Sequence, residues 1–336
     1  MTNLHKIAIV GCGGVSRMHF EAYRAHPDRV QVAAVCDVNP ERVAWAQREY
    51  GVAQGFTSIE AAVAEADWNV AVVSTPTHVR EGAVTALAKA GKHILVEKPM
   101  ADSYAEARRM VELCEGAGVT LAVNQNFRYH YPFEMARKLI GAGTIGRVRG
   151  ILHEDLMLRR DSGWRATAKR HALSVMGVHW LDGFRWLLGE EATSLLCATY
   201  TSPLINAAGE SDGFVQINFA NGAVATLVES FSTPVSKTET VVIGEVGSLV
   251  LTYNDLARYD TEHRGTPVER WDNPLRGRNK PEATFVDINL LFTALEEGTA
   301  PPNSGRDNLG TVALLDGAYR SAAEGRLVTF PLGVPS

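Results

Sequence analysis

The sequence predicts an α/β protein. Its N-terminal part forms a doubly wound parallel sheet, and its C-terminal part forms an α+β domain on a large, mostly antiparallel open sheet. Three observations carry this prediction. Short β-branched runs alternate with amphipathic helical stretches as far as about residue 124. Beyond residue 195, strand-like segments follow one another with little helix between them. Asn221-Gly222, set between two such segments, is a strong hairpin signal because both central positions of a tight type I′ turn need positive φ.

In the first part, Ile7-Ala8-Ile9-Val10, then residues 32–35, 70–73, 94–96 and 119–123, are unbroken apolar runs, as expected of parallel strands buried on both faces. Helical stretches at 40–50, 58–66, 79–90 and 103–117 separate them, and Gly51, Gly91 and Gly118 end three of these helices. Each crossover has the length a right-handed βαβ unit requires. A helix over 132–140 then runs into Gly141-Ala142-Gly143, and 145–151 begins a different sheet. Strands are predicted at 195–201, 213–219, 223–231, 238–243, 248–253 and 326–330, with helices at 281–297 and 308–324. The expected domains are 1–124 and 125–336.

A chain of 336 residues is long enough for two domains, each with its own core. With 46% hydrophobic and 21% charged residues it reads as globular, and a net charge of −5 argues against a nucleic-acid surface. No stretch approaches the ~20 apolar residues of a membrane span, so a cytoplasmic location is expected. Cys12, Cys36, Cys114 and Cys197 are scattered, which suggests apolar fillers and neither a disulfide framework nor a metal site.

Gly11-x-Gly13-x-x-Ser16 directly follows the first strand and opens a helix, matching a dinucleotide fingerprint except at its third position, where the residue is still small. Asp37 ends the second strand, where a carboxylate can bond both ribose hydroxyls and would repel a 2′-phosphate; NAD is therefore expected over NADP, with Arg42 nearby as the counter-argument. Glu97-Lys98-Pro99 closes the run His93-Ile94-Leu95-Val96 and places an amine at the carboxyl end of a parallel strand, the edge where open α/β sheets bind ligands.

With these residues in place, the chain resembles the Gfo/Idh/MocA oxidoreductases. The resemblance rests on Gly11-Cys12-Gly13-Gly14, on Ser74-Thr75-Pro76-Thr77-His78, on the long run from Ala90 to Pro99, and on Gly177-Val178-His179-Trp180-Leu181-Asp182. It implies a Rossmann domain followed by an open-sheet domain that often makes homodimers or homotetramers. It also implies hydride transfer between NAD(P) and a secondary alcohol of a sugar, polyol or sugar acid. Carried over by position, Lys98 contacts the reacting hydroxyl and His179 is the general base. Gly11, Gly13, Gly14, Val15, Ser16, Asp37, Thr75, Pro76, His78, Glu97, Lys98 and Asn124 are then expected at the cofactor. Lys98, Arg128, Trp164, Arg165, Val175 and His179 are expected at the substrate. The chemistry asks for such a pair: a base near neutral pKa removes the hydroxyl proton while a cation stabilises the developing alkoxide.

The chain departs from the family pattern at Val175, where an aspartate is expected four residues before the histidine on one helical face. Asp182, three residues after His179, is a substitute candidate for orienting the ring, or else a partner for Arg185. Arg159, Arg160, Arg165, Lys169 and Arg170 stand against the single acid Asp161, which reads either as a solvated basic loop or as a site for an anionic substrate group beside Trp164. Two other readings stay open: a ligand-sensing regulator that has lost catalytic groups, and an enzyme using tightly held NAD for transient redox without net oxidation.

Overall fold

The computed structural model describes residues 3–275 and 278–332; the outermost ends of the expected domains lie outside the described residues. The chain divides into two compact units, Met1–Asn126 with Lys280–Leu309, and Phe127–Asn279 with Gly310–Ser336.

The first unit is a six-stranded parallel sheet in the order β3-β2-β1-β4-β5-β6. Its elements are β1 (His5–Val10), α1 (Ser16–Arg24), β2 (Val30–Cys36), α2 (Pro40–Tyr50), β3 (Gln54–Phe56), α3 (Ile59–Glu65), β4 (Val70–Val73), α4 (Arg80–Lys89), β5 (His93–Glu97), α5 (Tyr104–Gly116) and β6 (Leu121–Asn124). All four residues of β4 are fully buried, as a central strand covered on both faces requires. Helix starts follow local chemistry: Asn39, Ser58 and Ser103 each accept a backbone N–H of the first turn of α2, α3 and α5. The strand order reverses between β1 and β4, the switch point at which such sheets take ligands at their carboxyl ends. β3 escaped the sequence reading because it is a three-residue edge strand with no apolar run.

The expected boundary at 124 left everything after it in the second domain, whereas the structure groups 280–309 with the first unit. The reason is apolar: Ile288, Leu291 and Phe292 of α9 (Asn279–Glu297) share one core with Ile7, Ile9 and Phe20.

The second unit is a nine-stranded sheet in the order β14-β13-β12-β11-β7-β10-β9-β8-β15. Its strands are β7 (Val148–Leu158), β8 (Ala192–Tyr200), β9 (Asp212–Phe219), β10 (Val224–Ser230), β11 (Ser232–Gly244), β12 (Gly247–Leu251), β13 (Asp255–Asp260), β14 (Glu269–Asp272) and β15 (Val328–Thr329). Every named pairing is antiparallel except β7 with β10. Helices α6 (Tyr131–Gly141), α7 (Trp164–Thr167), α8 (Val178–Leu188) and α10 (Gly305–Glu324) complete the order of elements. Phe184 of α8 and Leu314 and Leu315 of α10 belong to the core of Ile151, Leu227 and Val242.

Three details differ from the sequence reading. β7 runs seven residues past 151, because His153, Glu154 and Asp155 interrupt the apolar pattern without ending the strand. β13 and β14 are rich in charge; β14 is the edge strand and β13 its neighbour, and only Leu256 and Ala257 of the two are buried, too short an apolar signal to read. The Asn221-Gly222 hairpin forms with a three-residue loop: Phe219 N–H donates to Ala223 O, Ala223 N–H donates to Asn221 Oδ1, Gly222 N–H donates to Phe219 O, and Gly222 takes φ +84° at the left-handed position.

Candidate active site

The turn after β5 is held by polar groups from several elements. β5 and β6 pair so that Glu97 and Asn124 lie side by side, and Asn124 Nδ2 donates to Glu97 Oε1 at 2.7 Å. His19 Nε2 of α1 lies 2.8 Å from the same oxygen, and its Nδ1 lies 2.8 Å from the Tyr23 hydroxyl. Lys98 N–H donates to the other oxygen at 3.2 Å. Burial by itself would raise the Glu97 carboxyl, but His19, Lys98 and Asn124 outweigh it and hold the group below the usual range. Lys98 is therefore half-buried next to a fixed carboxylate. Behind the turn, the buried Arg80 guanidinium donates to Glu97 O at 2.6 Å, to Pro99 O, and to Thr75 O at 2.6 Å.

The glycine turn after β1 is shaped for close backbone approach. Gly11 has φ +95°, and a Cβ there would lie 2.9 Å from Ser74 C and Thr75 N, so no other residue fits. At Gly13 and Gly14 a Cβ would meet nothing within 4 Å, which leaves an open cradle at the start of α1. Val15 is the N-cap position, and Ser16 turns its hydroxyl back to Gly13 O at 2.6 Å. Asp37 is buried and anchored by Cys12 N–H at 2.7 Å and Asn39 N–H at 2.9 Å, with Arg42 3.8 Å away. Thr75 Oγ1 and Asn124 Oδ1 are buried without a hydrogen-bond partner among the described residues. Pro76 leads into a single helical turn, Thr77–Val79, on which His78 is exposed. A bare cradle, an aligned carboxylate and two orphaned polar atoms in one unit fit a dinucleotide.

In the second unit, His179 occupies the first turn of α8, 4% exposed, with its ring stacked on Phe127 at 3.8 Å between centroids. The helical winding before it is wider than a single α-helix, because Leu173–Gly177 forms a π-helical turn. Val175 is buried within that turn, four residues before His179. Glu210 secures the entry: its carboxylate accepts the N–H groups of His171 and Leu173 and the hydroxyl of Tyr319. Asp182 is bound elsewhere than at His179. Arg128 grips it through two bonds of 2.6 Å, Thr311 adds a third of 2.6 Å, and Arg185 stands 4.0 Å off. The Arg128 guanidinium, expected at the substrate, is thus engaged with a carboxylate.

The basic run is partly neutralised. Arg159 makes a two-pronged pair with Asp161, which also meets His171 Nε2 at 3.0 Å, and Arg170 pairs with Asp316 at 2.7 Å. Trp164 is 41% exposed on α7, with the Arg165 guanidinium 5.5 Å from its ring centroid.

His19, Tyr23, Arg80, Phe127 and Glu210 were not singled out in the sequence. His19 had a usable signal, since it recurs with Ser16 and Tyr23 on the buried face of α1. Arg80 had none, because an arginine at a helix start reads as solvated.

Comparison with known proteins agrees in both units. Residues 5–125 match the model of the oxidoreductase family with an NAD-binding Rossmann fold, and residues 133–250 match the Gfo/Idh/MocA C-terminal domain. The chain is 29% identical to D-apiose dehydrogenase of Paraburkholderia graminis over 96% of its own length and 89% of that enzyme. It is 26% identical to inositol 2-dehydrogenase of Rhizobium meliloti over 96% and 98%. Among solved structures, WlbA dehydrogenase of Bordetella pertussis in complex with NADH and UDP-GlcNAcA superposes with a TM-score of 0.83 at 25% identity, covering 98% of this chain and all of that one. The N-terminal unit is an NAD-binding Rossmann domain, and the chain belongs to the Gfo/Idh/MocA oxidoreductases.

Proposed function

We propose that the enzyme moves a hydride between NAD and a secondary alcohol, or the matching ketone, of a sugar, polyol or sugar acid. The observation that carries this reading is the turn after β5, where Lys98 stands beside an ionised, buried Glu97 at the ligand-binding edge of a dinucleotide sheet. Sugar and inositol dehydrogenases among the relatives support the substrate class, and the sugar acid named with WlbA keeps acids within it. Bound NAD would supply the hydride acceptor at nicotinamide C4. Gly11, Gly13, Gly14, Val15 and Ser16 would seat its pyrophosphate, Asp37 its ribose, and Thr75, Pro76, His78, Glu97 and Asn124 its neighbourhood. Lys98 polarises the substrate oxygen while His179 takes its proton. Trp164 and Arg165 form one flank of the substrate, with Arg128 and Val175 shaping its floor.

A panel of sugars, inositols and aldonic acids followed by NADH absorbance tests this directly. Lys98→Ala and His179→Asn should each lower kcat by about 10²–10⁴-fold, the usual worth of a positioned acid or base. Full activity in either variant removes that residue from the mechanism. Turnover without NADH accumulation would instead point to transient redox.

Leu152, Leu196 and Phe214 are each about half exposed on the face of the second unit's sheet that alternates with its core residues, an apolar surface suited to a second copy. A homodimer or homotetramer is expected by sedimentation, and Phe214→Asp should lower its mass; a wild-type monomer would end this reading. The cysteines, all buried and unpaired, suit the cytoplasm.

A further inference from the structure

Arg80 is an expensive residue to place where it is. It is 3% exposed, and its guanidinium faces peptide carbonyls. Burial lowers its pKa to about 10, against the pull of Glu97, Asp102 and Glu106. Removing a cation from water carries a penalty that packing alone does not require, since Val84 and Leu87 already bury the apolar face of α4 completely. What the guanidinium gains is reach in two directions. Nη1 donates to both Glu97 O and Pro99 O, the carbonyls flanking Lys98, while Nη2 in the same plane donates to Thr75 O in the loop after β4.

We infer that Arg80 is a positioning residue, a single guanidinium that sets the lysine-bearing turn after β5 against the loop after β4. The inference rests on the role proposed above for Lys98. With the carbonyls on both sides of Lys98 pinned, the start of its side chain is fixed, and Thr75, whose buried hydroxyl lacks a partner among the described residues, is fixed by the same group. Small misplacements of a reacting group cost rate steeply, so the clamp acts on kcat through Lys98 and only weakly on cofactor affinity. Lysine cannot replace it in full, because one compact ammonium does not span both loops in a fixed plane.

A double-mutant cycle tests this. Arg80→Gln and Arg80→Lys are made alone and in the Lys98→Ala background, checked for folding by melting temperature, and assayed below it for kcat and for NADH affinity by fluorescence. In the wild-type background kcat should fall about 10–100-fold in Arg80→Gln and less in Arg80→Lys, with NADH affinity changed by no more than a few-fold. In the Lys98→Ala background the same substitutions should change kcat by less than about twofold, because the group they position is gone. Equal losses in both backgrounds would mean that Arg80 only supports the fold, and a wild-type kcat in both variants would overturn the inference outright. If Arg80→Gln does not fold, Arg80→Lys carries the same cycle. A wild-type kcat in Lys98→Ala would overturn the reading of Lys98 and the clamp with it, whereas a lowered kcat in Lys98→Ala beside equal Arg80 losses in both backgrounds would overturn the clamp alone.

Discussion

The two units hold their candidate catalytic side chains by different means. Lys98 follows a carboxylate bound by His19, Asn124 and a backbone N–H, and it lies between two carbonyls bound by Arg80. His179 lies on the ring of Phe127, which in turn meets Trp180 edge-on at 5.2 Å between centroids. The difference suits the chemistry proposed for each side chain. A lysine that steadies negative charge must keep its own charge, so a fixed anion and a pinned backbone serve it. An imidazole that accepts a proton needs a fixed ring plane, and stacking supplies one without adding charge.

The polar hold on the lysine turn depends most on His19. Replacing it by alanine leaves Glu97 buried with fewer donors and strands the Tyr23 hydroxyl. The cost should be roughly 2 kcal/mol of stability, the range for losing a hydrogen bond to a buried charged group. His19→Gln, which keeps an amide donor, should recover part of that loss. Thermal melts of the three proteins, with kcat measured below the transition, decide it. A loss in His19→Ala under about 1 kcal/mol with unchanged kcat would mean that the lysine turn does not depend on its polar hold, and the contrast between the units would lapse.

How much of this was legible in the sequence differs between the units for the same physical reason. The Rossmann sheet writes itself as apolar runs because both its faces are buried, and the glycine turn writes itself because a Cβ at Gly11 collides with the loop after β4. Glu97 and Lys98 follow directly from that strand pattern. The partners that hold them do not, since His19 and Arg80 reach the turn from elements 78 and 17 residues away along the chain, and no local pattern encodes such contacts. In the second unit the polar residues on the inner sheet face are the obstacle. His153, Asp155 and Glu229 sit where alternation calls for apolar side chains, so β7 looks half its length. The π-helical turn at Leu173–Gly177 has no sequence signature, since the spacing of its residues reads equally well as α-helix.

The smaller effect is expected at those inner-face acids, and it separates the aromatic hold on His179 from the charge buried near it. Glu229 pairs in register with Asp155, whose carboxylate already accepts the Trp180 indole N–H at 3.1 Å and the Thr238 hydroxyl at 2.7 Å. Burial, and then the neighbouring Asp155, raise the Glu229 carboxyl well above its ordinary value near 4.5. A group whose folded pKa lies above its unfolded one binds a proton more tightly when folded. The stability it contributes is therefore full below about 4.5 and declines as pH rises toward the folded pKa, by about 1.4 kcal/mol per pH unit. Glu229→Gln removes the titration, so its stability should stay flatter from pH 5 to 8 and exceed that of the wild type at the alkaline end. Its kcat–pH profile should keep the wild-type shape, because the ring plane of His179 is set by Phe127 and not by the acid pair. Urea melts across that pH range, read beside the kinetic profile, settle both halves. Parallel stability curves would show that Glu229 is ionised in the folded protein. A displaced kinetic profile would show that His179, too, is held by charge.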